Sequence, residues 1–435
     1  MAVSSASGAV SVPSQGGRAA SPPSREGRAV SPPSREGRAV SPPSPERLGG
    51  EPSDAHPGGE PSAARSDRSH LTELRLSAFA GHRRAALPLG PFTLLAGPSG
   101  CGKSTALRAY EALARLAGGA GVGEAFPDPQ ACVPERARPD AQRRRGFRIG
   151  CTADGPEGPV RLDVAVQAEP GLRIVGERLS ADGVVLLETA LRDPSRPWVQ
   201  AAWHTAGQSP VTRAPLPDDR LGTALLPLRV AGKTDGQRRV LAAAEQMVVA
   251  LRSVFACDPR PDRMRARVPV GSGRLHGGCD NLADVLWRTR IECGRRHAQF
   301  VAAVRAGCAG PVADAAAEVM DDGTVRAVLD RGDGIRTELG RLGDGELRYL
   351  ALSLVLLTGP GVLEVDPVGE VPQAMQTLTV LADGLDRGLD PGQRGEVVRL
   401  AARMCERGHI RVVGAVSDAS WVAEADGVTV VHLEP

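Results

Sequence analysis

The stretch GPSGCGKS, residues 97–104, sets Gly97, Gly102, Lys103 and Ser104 in the pattern G-x-x-x-x-G-K-[ST]. Glycines let a backbone curl until successive N–H groups point at one spot, and the start of a following helix adds its dipole there. The ligand that suits such a loop is a polyphosphate. Pro98, Ser99, Gly100 and Cys101 fill the cradle, Lys103 would reach the β- and γ-phosphates, and Ser104, with Thr105 beside it, would offer a hydroxyl to Mg²⁺. Lysine occurs only at Lys103 and Lys233 in a chain whose other basic residues are arginine, so composition alone does not account for a lysine here. Cys101 reads as a small filler within the loop.

Two further groupings could do chemistry. His276, Cys279, Cys293 and His297 spell H-x2-C-x13-C-x3-H, a spacing that resembles a zinc site. Buried cysteines and exposed helix histidines are common enough that coincidence is the better reading. Arginines cluster at Arg83–Arg84, Arg143–Arg145, Arg238–Arg239, Arg263–Arg267 and Arg295–Arg296, where nucleic-acid phosphates could be met. Aromatic interleaving is absent and acids balance the bases at a net charge of +2, which favours an ordinary solvated surface.

The elements that must position these residues follow from periodicity. "TELRLSAF" alternates like a half-exposed strand, "FTLLA" is a short buried strand, and "KSTALRAYEALARLA" has helical spacing that stops at Gly118–Gly119. The cradle therefore lies between a strand and a helix, as its chemistry requires. "GFRIGCTA", "VRLDVAVQ", "LRIVGERLS" and "VVLLETAL", separated by turns, predict an antiparallel sheet. Residues 196–312 then read as a mostly helical insertion carrying "GQRRVLAAAEQMVVALRSVFA" and "NLADVLWRTRIECGRRHAQFVAAVRAG". Strands return in "AAEVMDDGTVRAVLDRGDGIRTEL", and the remainder of 313–435 reads helix, strand, helix, strand, strand.

Ahead of this lies a different kind of sequence. Residues 1–70 are rich in Pro, Ser, Gly and Arg, and decapeptides beginning at Gly17, Gly27 and Gly37 repeat "GRAxSPPSxE". Such a segment buries too little apolar surface to offset its ordering entropy, so a disordered tail is expected over 1–70. With aromatics at 3%, the core of the rest must be built from Leu, Val and Ala. The first residues lack a basic n-region and an apolar h-region, and no apolar run nears the roughly 20 residues of a membrane span. Eight scattered cysteines without a CxxC suit a reducing cytoplasm, where the chain is expected.

Taken together, "LTELRLSAFAGHRRAALPLGPFTLLAGPSGCGKSTAL" and "LGDGELRYLALSL", Leu342 to Leu354, resemble the ABC-type ATPases of the RecF/SMC-like class and the shorter AAA-family members related to them. The second stretch is similar to their signature motif, LSGGE or LSDGE followed by a helix. The resemblance implies an α/β fold: a P-loop NTPase head of ABC type, split between 71–195 and 313–435, with an antiparallel β lobe and the helical insertion between. It implies ATP and Mg²⁺ as ligands, and a homodimer in which Gly343, Asp344, Gly345 and Glu346 of one copy cap the ATP held by the P-loop of the other. Gln142 and Gln167 are candidates for the Q-loop glutamine.

The resemblance also implies a metal-binding acid. The family run D-E-P-x-x-x-L-D-P aligns with Asp383, Leu389, Asp390 and Pro391 of "TLTVLADGLDRGLDP", making Asp383 the Walker B acid and Asp390 the D-loop residue. Asp366 of "GVLEVDP" is the alternative, and 361–376 is otherwise a local insertion. Three positions depart from the pattern. Gly343 replaces a serine, Gly384 replaces the glutamate that orients the attacking water, and Ser417 stands where a switch histidine is expected. Asp386, Glu364 or Glu370 could compensate for the missing glutamate. The implied activity is slow ATP hydrolysis coupled to dimerisation, in DNA repair or in defence against foreign DNA. A non-hydrolysing, ATP-dependent switch or scaffold is the alternative. Nucleic acid is a possible partner and a membrane is not.

Overall fold

A computed structural model describes residues 67–435 apart from 206–210, 366–367, 370, 373–375, 423–425 and 435. The tail expected over 1–70 lies almost wholly outside the described residues, as do the candidates Asp366 and Glu370. The described residues belong to one unit, Ala63–Pro435.

Among them, a parallel sheet of five strands forms the centre. Its order is β10 (Val254–Cys257), β15 (Leu378–Ala382), β16 (Ile410–Val416), β3 (Phe92–Ala96) and β17 (Val428–His432). Every residue of β3 and β15 is buried, the continuous apolar reading of strands covered on both faces. Registers align their ends: Val416 pairs with Ala96, and Ala382 pairs with Gly414 on one side and Cys257 on the other. Helix α1 (Lys103–Ala117) leaves β3 across the cradle, and α9 (Pro391–Glu406) joins β15 to β16.

The second sheet is antiparallel, with eight strands in the order β2 (His82–Pro88), β1 (His70–Phe79), β4 (Arg145–Asp154), β5 (Val160–Glu169), β6 (Arg173–Ala181), β7 (Val184–Ala190), β8 (Trp198–His204) and β9 (Val211–Pro217). Alternation sets one face inward. Leu74 and Leu76 of β1, Ile149 of β4 and Leu162 and Val164 of β5 pack with Val240, Ala244 and Met247 of α4 (Asp235–Arg252). The short α2 (Val122–Ala125) and α3 (Gly222–Arg229) close this layer against α1 and α4.

A third sheet holds β11 (Val268–Pro269), β13 (Thr324–Asp330) and β12 (Asp314–Val319), with β14 (Arg336–Glu338) paired to β13. It backs onto α6 (Leu282–Glu292). Beyond it α7 (Gly294–Gly307) packs on α8 (Asp344–Leu357) and α9, and α5 (Pro261–Met264) meets α8.

The stretch 196–312, expected to be mostly helical, is more mixed. β8 and β9 complete the antiparallel sheet, and β10 enters the parallel one. "WVQAAWH" carries the strand alternation, but Pro-rich flanks obscure it. "VFAC" prolongs the apolar run of α4, yet the chain leaves the helical region at Ser253 and the run continues as a strand. The single helix anticipated over 281–307 is two, parted at Cys293 (φ −149°, ψ 84°).

Candidate functional site

The C-terminal ends of β3, β15 and β16 lie side by side, the place where open parallel sheets hold their ligands. Between them opens a cleft of about 540 Å³ whose walls include Ser99, Gly100, Lys103, Ser104, Asp383, Asp386, Arg394 and Ser417.

The Gly-rich loop forms one wall, and two of its glycines are dictated by space. Gly97 has φ +152°, and a Cβ there would strike the Leu433 carbonyl and the Cys101 thiol; Gly102, at φ +95°, would drive one into the His82 ring. His82 in turn bonds the Gly102 carbonyl at 3.0 Å, so β2 buttresses the loop from behind. Gly102 caps α1, whose first-turn amides have no partners within the helix. Lys103 Nζ donates to the carbonyls of Gly97 (2.7 Å) and Pro98 (2.8 Å), folding over the loop it belongs to. Cys101 is buried beneath it.

The second wall is the turn after β15. Ser104 Oγ donates to Asp383 Oδ1 at 2.9 Å across 279 residues of sequence, joining the cradle to the acid strand. Gly384 follows at φ +64°, with no side chain to offer. Asp386, two residues on, turns its carboxylate to the end of β16: Oδ2 accepts from Ser417 N (3.0 Å) and Ser417 Oγ (2.5 Å). Arg394 lines the cleft from α9 and stacks over Trp421, its guanidinium carbon 5.7 Å from the ring. Serine and carboxylate oxygens 2.9 Å apart are the hard donors that a Mg²⁺ ion takes, so this corner fits that cofactor.

Other predicted residues are placed elsewhere. Gly343, Asp344, Gly345 and Glu346 form the start of α8 and do not line this cleft among the described residues. Glu346 Oε2 accepts from Gly343 N, Asp344 is ion-paired with Arg265, and Gly345 is pressed against the carbonyl of Gly388, leaving no room for a Cβ. Asp390 caps α9, accepting from Gln393 N at 2.8 Å, and its backbone N–H is met in return by Gln393 Oε1. Gln142 sits in an exposed turn bonded to Arg144, and Gln167 bonds Gly171 at the end of β5; neither reaches the cleft. Glu364 lines a separate cleft with Arg115 and Ala256.

The zinc spacing does not assemble. His276 bonds Asp280, His297 bonds Asp314, and Cys279 instead contacts Cys257. Among the described residues no three His, Cys, Asp or Glu side chains converge to hold a metal. All eight cysteines are free thiols. Several clustered arginines are ion-paired to acids: Arg144 to Asp140, Arg145 to Glu169, Arg238 to Asp235 and Arg239 to Asp182. No described helix is long and apolar enough to cross a membrane.

Sequence reasoning missed Arg394, and it named Asp386 and Ser417 separately but missed that they pair. Arg394 had a signal, its place one turn into the helix that follows Asp390. The pair had none, because 31 residues separate its members and only the sheet order joins them.

No family model matches the chain, and no curated protein matches it in sequence. Solved structures similar to it include a SmcHead bound to the C-winged helix domain of ScpA, at 12% identity and TM-score 0.47, over 82% of this chain and 93% of that one. The SMC head domain from Thermotoga maritima gives 12%, 0.39, 82% and 93%. The Smc head domain with an extended coiled coil, bound to the C-terminal domain of ScpA derived from Pyrococcus furiosus, gives 12%, 0.41, 84% and 94%. At such TM-scores the reading of the cleft stands on its own geometry.

Proposed function

We propose that the chain binds ATP with Mg²⁺ in the cleft at the ends of β3, β15 and β16, dimerises around it as an ABC-type head of the RecF/SMC-like class, and hydrolyses it slowly. The observation that carries this reading is the 2.9 Å contact of Ser104 Oγ with Asp383 Oδ1 at the foot of a loop whose Gly97 and Gly102 leave no room for a Cβ. Ser104 and Asp383 would hold Mg²⁺, which when bound neutralises charge on the β- and γ-phosphates. The loop amides from Gly100 to Thr105 and the start of α1 would cradle the phosphates. Lys103 would exchange its two carbonyl partners for phosphate oxygens, and Arg394 adds positive charge to the same wall.

Gly343 to Glu346 do not line their own chain's cleft, which supports their use on the nucleotide of a second copy, with Asp390 on the adjoining helix start. A second reading, an ATP-dependent switch with negligible turnover, is favoured by Gly384, where no carboxylate follows Asp383. Coupling to DNA repair or to defence against foreign DNA belongs to the same proposal, and a DNA-stimulated rate would support it.

Light scattering on the full chain with and without Mg-ATP tests the reading. Parent protein should double in mass with ATP, and Lys103→Ala should remain monomeric. Absence of both ATP binding and dimerisation in the parent would refute it.

A further inference from the structure

We propose that Asp386, held by Ser417, is the base that activates water in this cleft, replacing the glutamate that Gly384 lacks. The inference rests on the ATP-hydrolysing reading above and names the residue on which that reaction depends.

The geometry narrows the choice. Among the described residues, the carboxylates lining the cleft are Asp383 and Asp386, and Asp383 is engaged by Ser104 on the metal side. Asp386 arrives by a specific chain path. Gly384 and Gly388 both take left-handed conformations, φ +64° and +70°, which folds the turn between them back toward the sheet. Leu385 N then donates to Ala415 O at 2.9 Å, pinning the turn to the end of β16. Ser417 follows β16 directly, and both its N–H and its hydroxyl donate to the same oxygen, Oδ2. Two donors on one oxygen fix the plane of the carboxylate while neither engages Oδ1. Because β16 lies between β3 and β15, Ser417 holds the carboxylate at the end of the strand between the one that leads into the cradle and the one that ends beside Asp383, in the cleft all three line.

In the step assigned to it, Oδ1 accepts one proton from water as the water oxygen bonds to the γ-phosphorus. The bond from that phosphorus to the β–γ bridging oxygen breaks, and the electron pair leaves with ADP. Water's second hydrogen stays on the phosphate until solvent takes it. Ser417 acts as a positioning residue, since its N–H and its hydroxyl are both spent on Asp386 Oδ2.

The test uses the full chain with Mg²⁺ and a fluorescent ATP analogue, reading affinity, single-turnover hydrolysis and the lifetime of the ATP-bound dimer. Asp386→Asn should bind within about twofold of the parent, turn over at least about a hundredfold more slowly and keep the dimer from dissociating. Ser417→Ala should bind normally but turn over more slowly, and Ser417→Thr, which keeps the hydroxyl, should recover the rate. Parent-like turnover in Asp386→Asn would overturn the proposal, as would loss of binding together with turnover in that variant. A parent that binds ATP without hydrolysing it would overturn this base and leave the ATP-binding reading intact. A parent that binds no ATP would overturn both.

Discussion

The guanidinium of Arg348, on α8, donates from Nη2 to the carbonyl of Gly384 at 3.3 Å and from Nη1 to the carbonyl of Pro259 at 2.6 Å, with Asp258 3.6 Å away. The helix that begins at the Gly343–Gly345 loop is thereby fastened to the turn that carries Asp386. Arg348 is buried, and burial lowers its pKa from the ordinary arginine value. Arg348→Met would leave two carbonyls and a carboxylate without this donor. A loss of about 2 kcal/mol in denaturant stability is expected, the scale of hydrogen bonds to a charged group. Arg348→Lys should recover little, because a single ammonium cannot reproduce the planar fork.

The Ser104–Asp383 contact predicts a metal-dependent affinity. ATP should bind the parent more tightly in Mg²⁺ than in EDTA. Asp383→Asn should cut that difference by roughly tenfold or more, within the range seen when metal-site groups are altered. Equal affinities for the parent in both conditions would separate this corner from any metal.

Gly102 predicts a position intolerant of a methyl group. Gly102→Ala must hold a left-handed residue and push the His82 ring aside. The strain alone costs about 1–2 kcal/mol, and displacement of the loop should remove nucleotide binding. Denaturant titration and ATP titration of the same variant read the two effects separately.

His70 predicts a pH dependence of stability. Burial, reinforced by the charge of Arg411, lowers its pKa below 6.5 in the folded chain. The unfolded chain then binds the proton more readily, so stability should be full above the unfolded value and fall as pH drops from about 7 toward 5. His70→Gln should flatten part of that slope. An unchanged slope would place the acid sensitivity elsewhere, for instance at His409, whose pKa burial also lowers.

How far the sequence could be read depends on where its punctuation lies. Gly97 and Gly118–Gly119 bracket β3 and α1 so tightly that the expected helix coincides with the observed Lys103–Ala117. Alternation between clear turns located β4 to β7 equally well. Where apolar runs pass through a break, as at Ser253 and Cys293, periodicity carried a helix too far. The site divides in the same way. The cradle is a local motif and was legible from residues 97–104 alone. Asp383 came only from register against a family pattern. Asp386 and Ser417 meet because β16 lies beside β15, an order that no spacing encodes.

The central claim is that this cleft holds Mg-ATP, and calorimetric titration of the full chain with ATP in the presence of Mg²⁺ tests it most directly. The account predicts one ATP per chain for the parent and no measurable heat of binding for Lys103→Ala, with the variant's unfolding curve unchanged. Equal binding by the parent and a folded Lys103→Ala, or none by the parent, would contradict it.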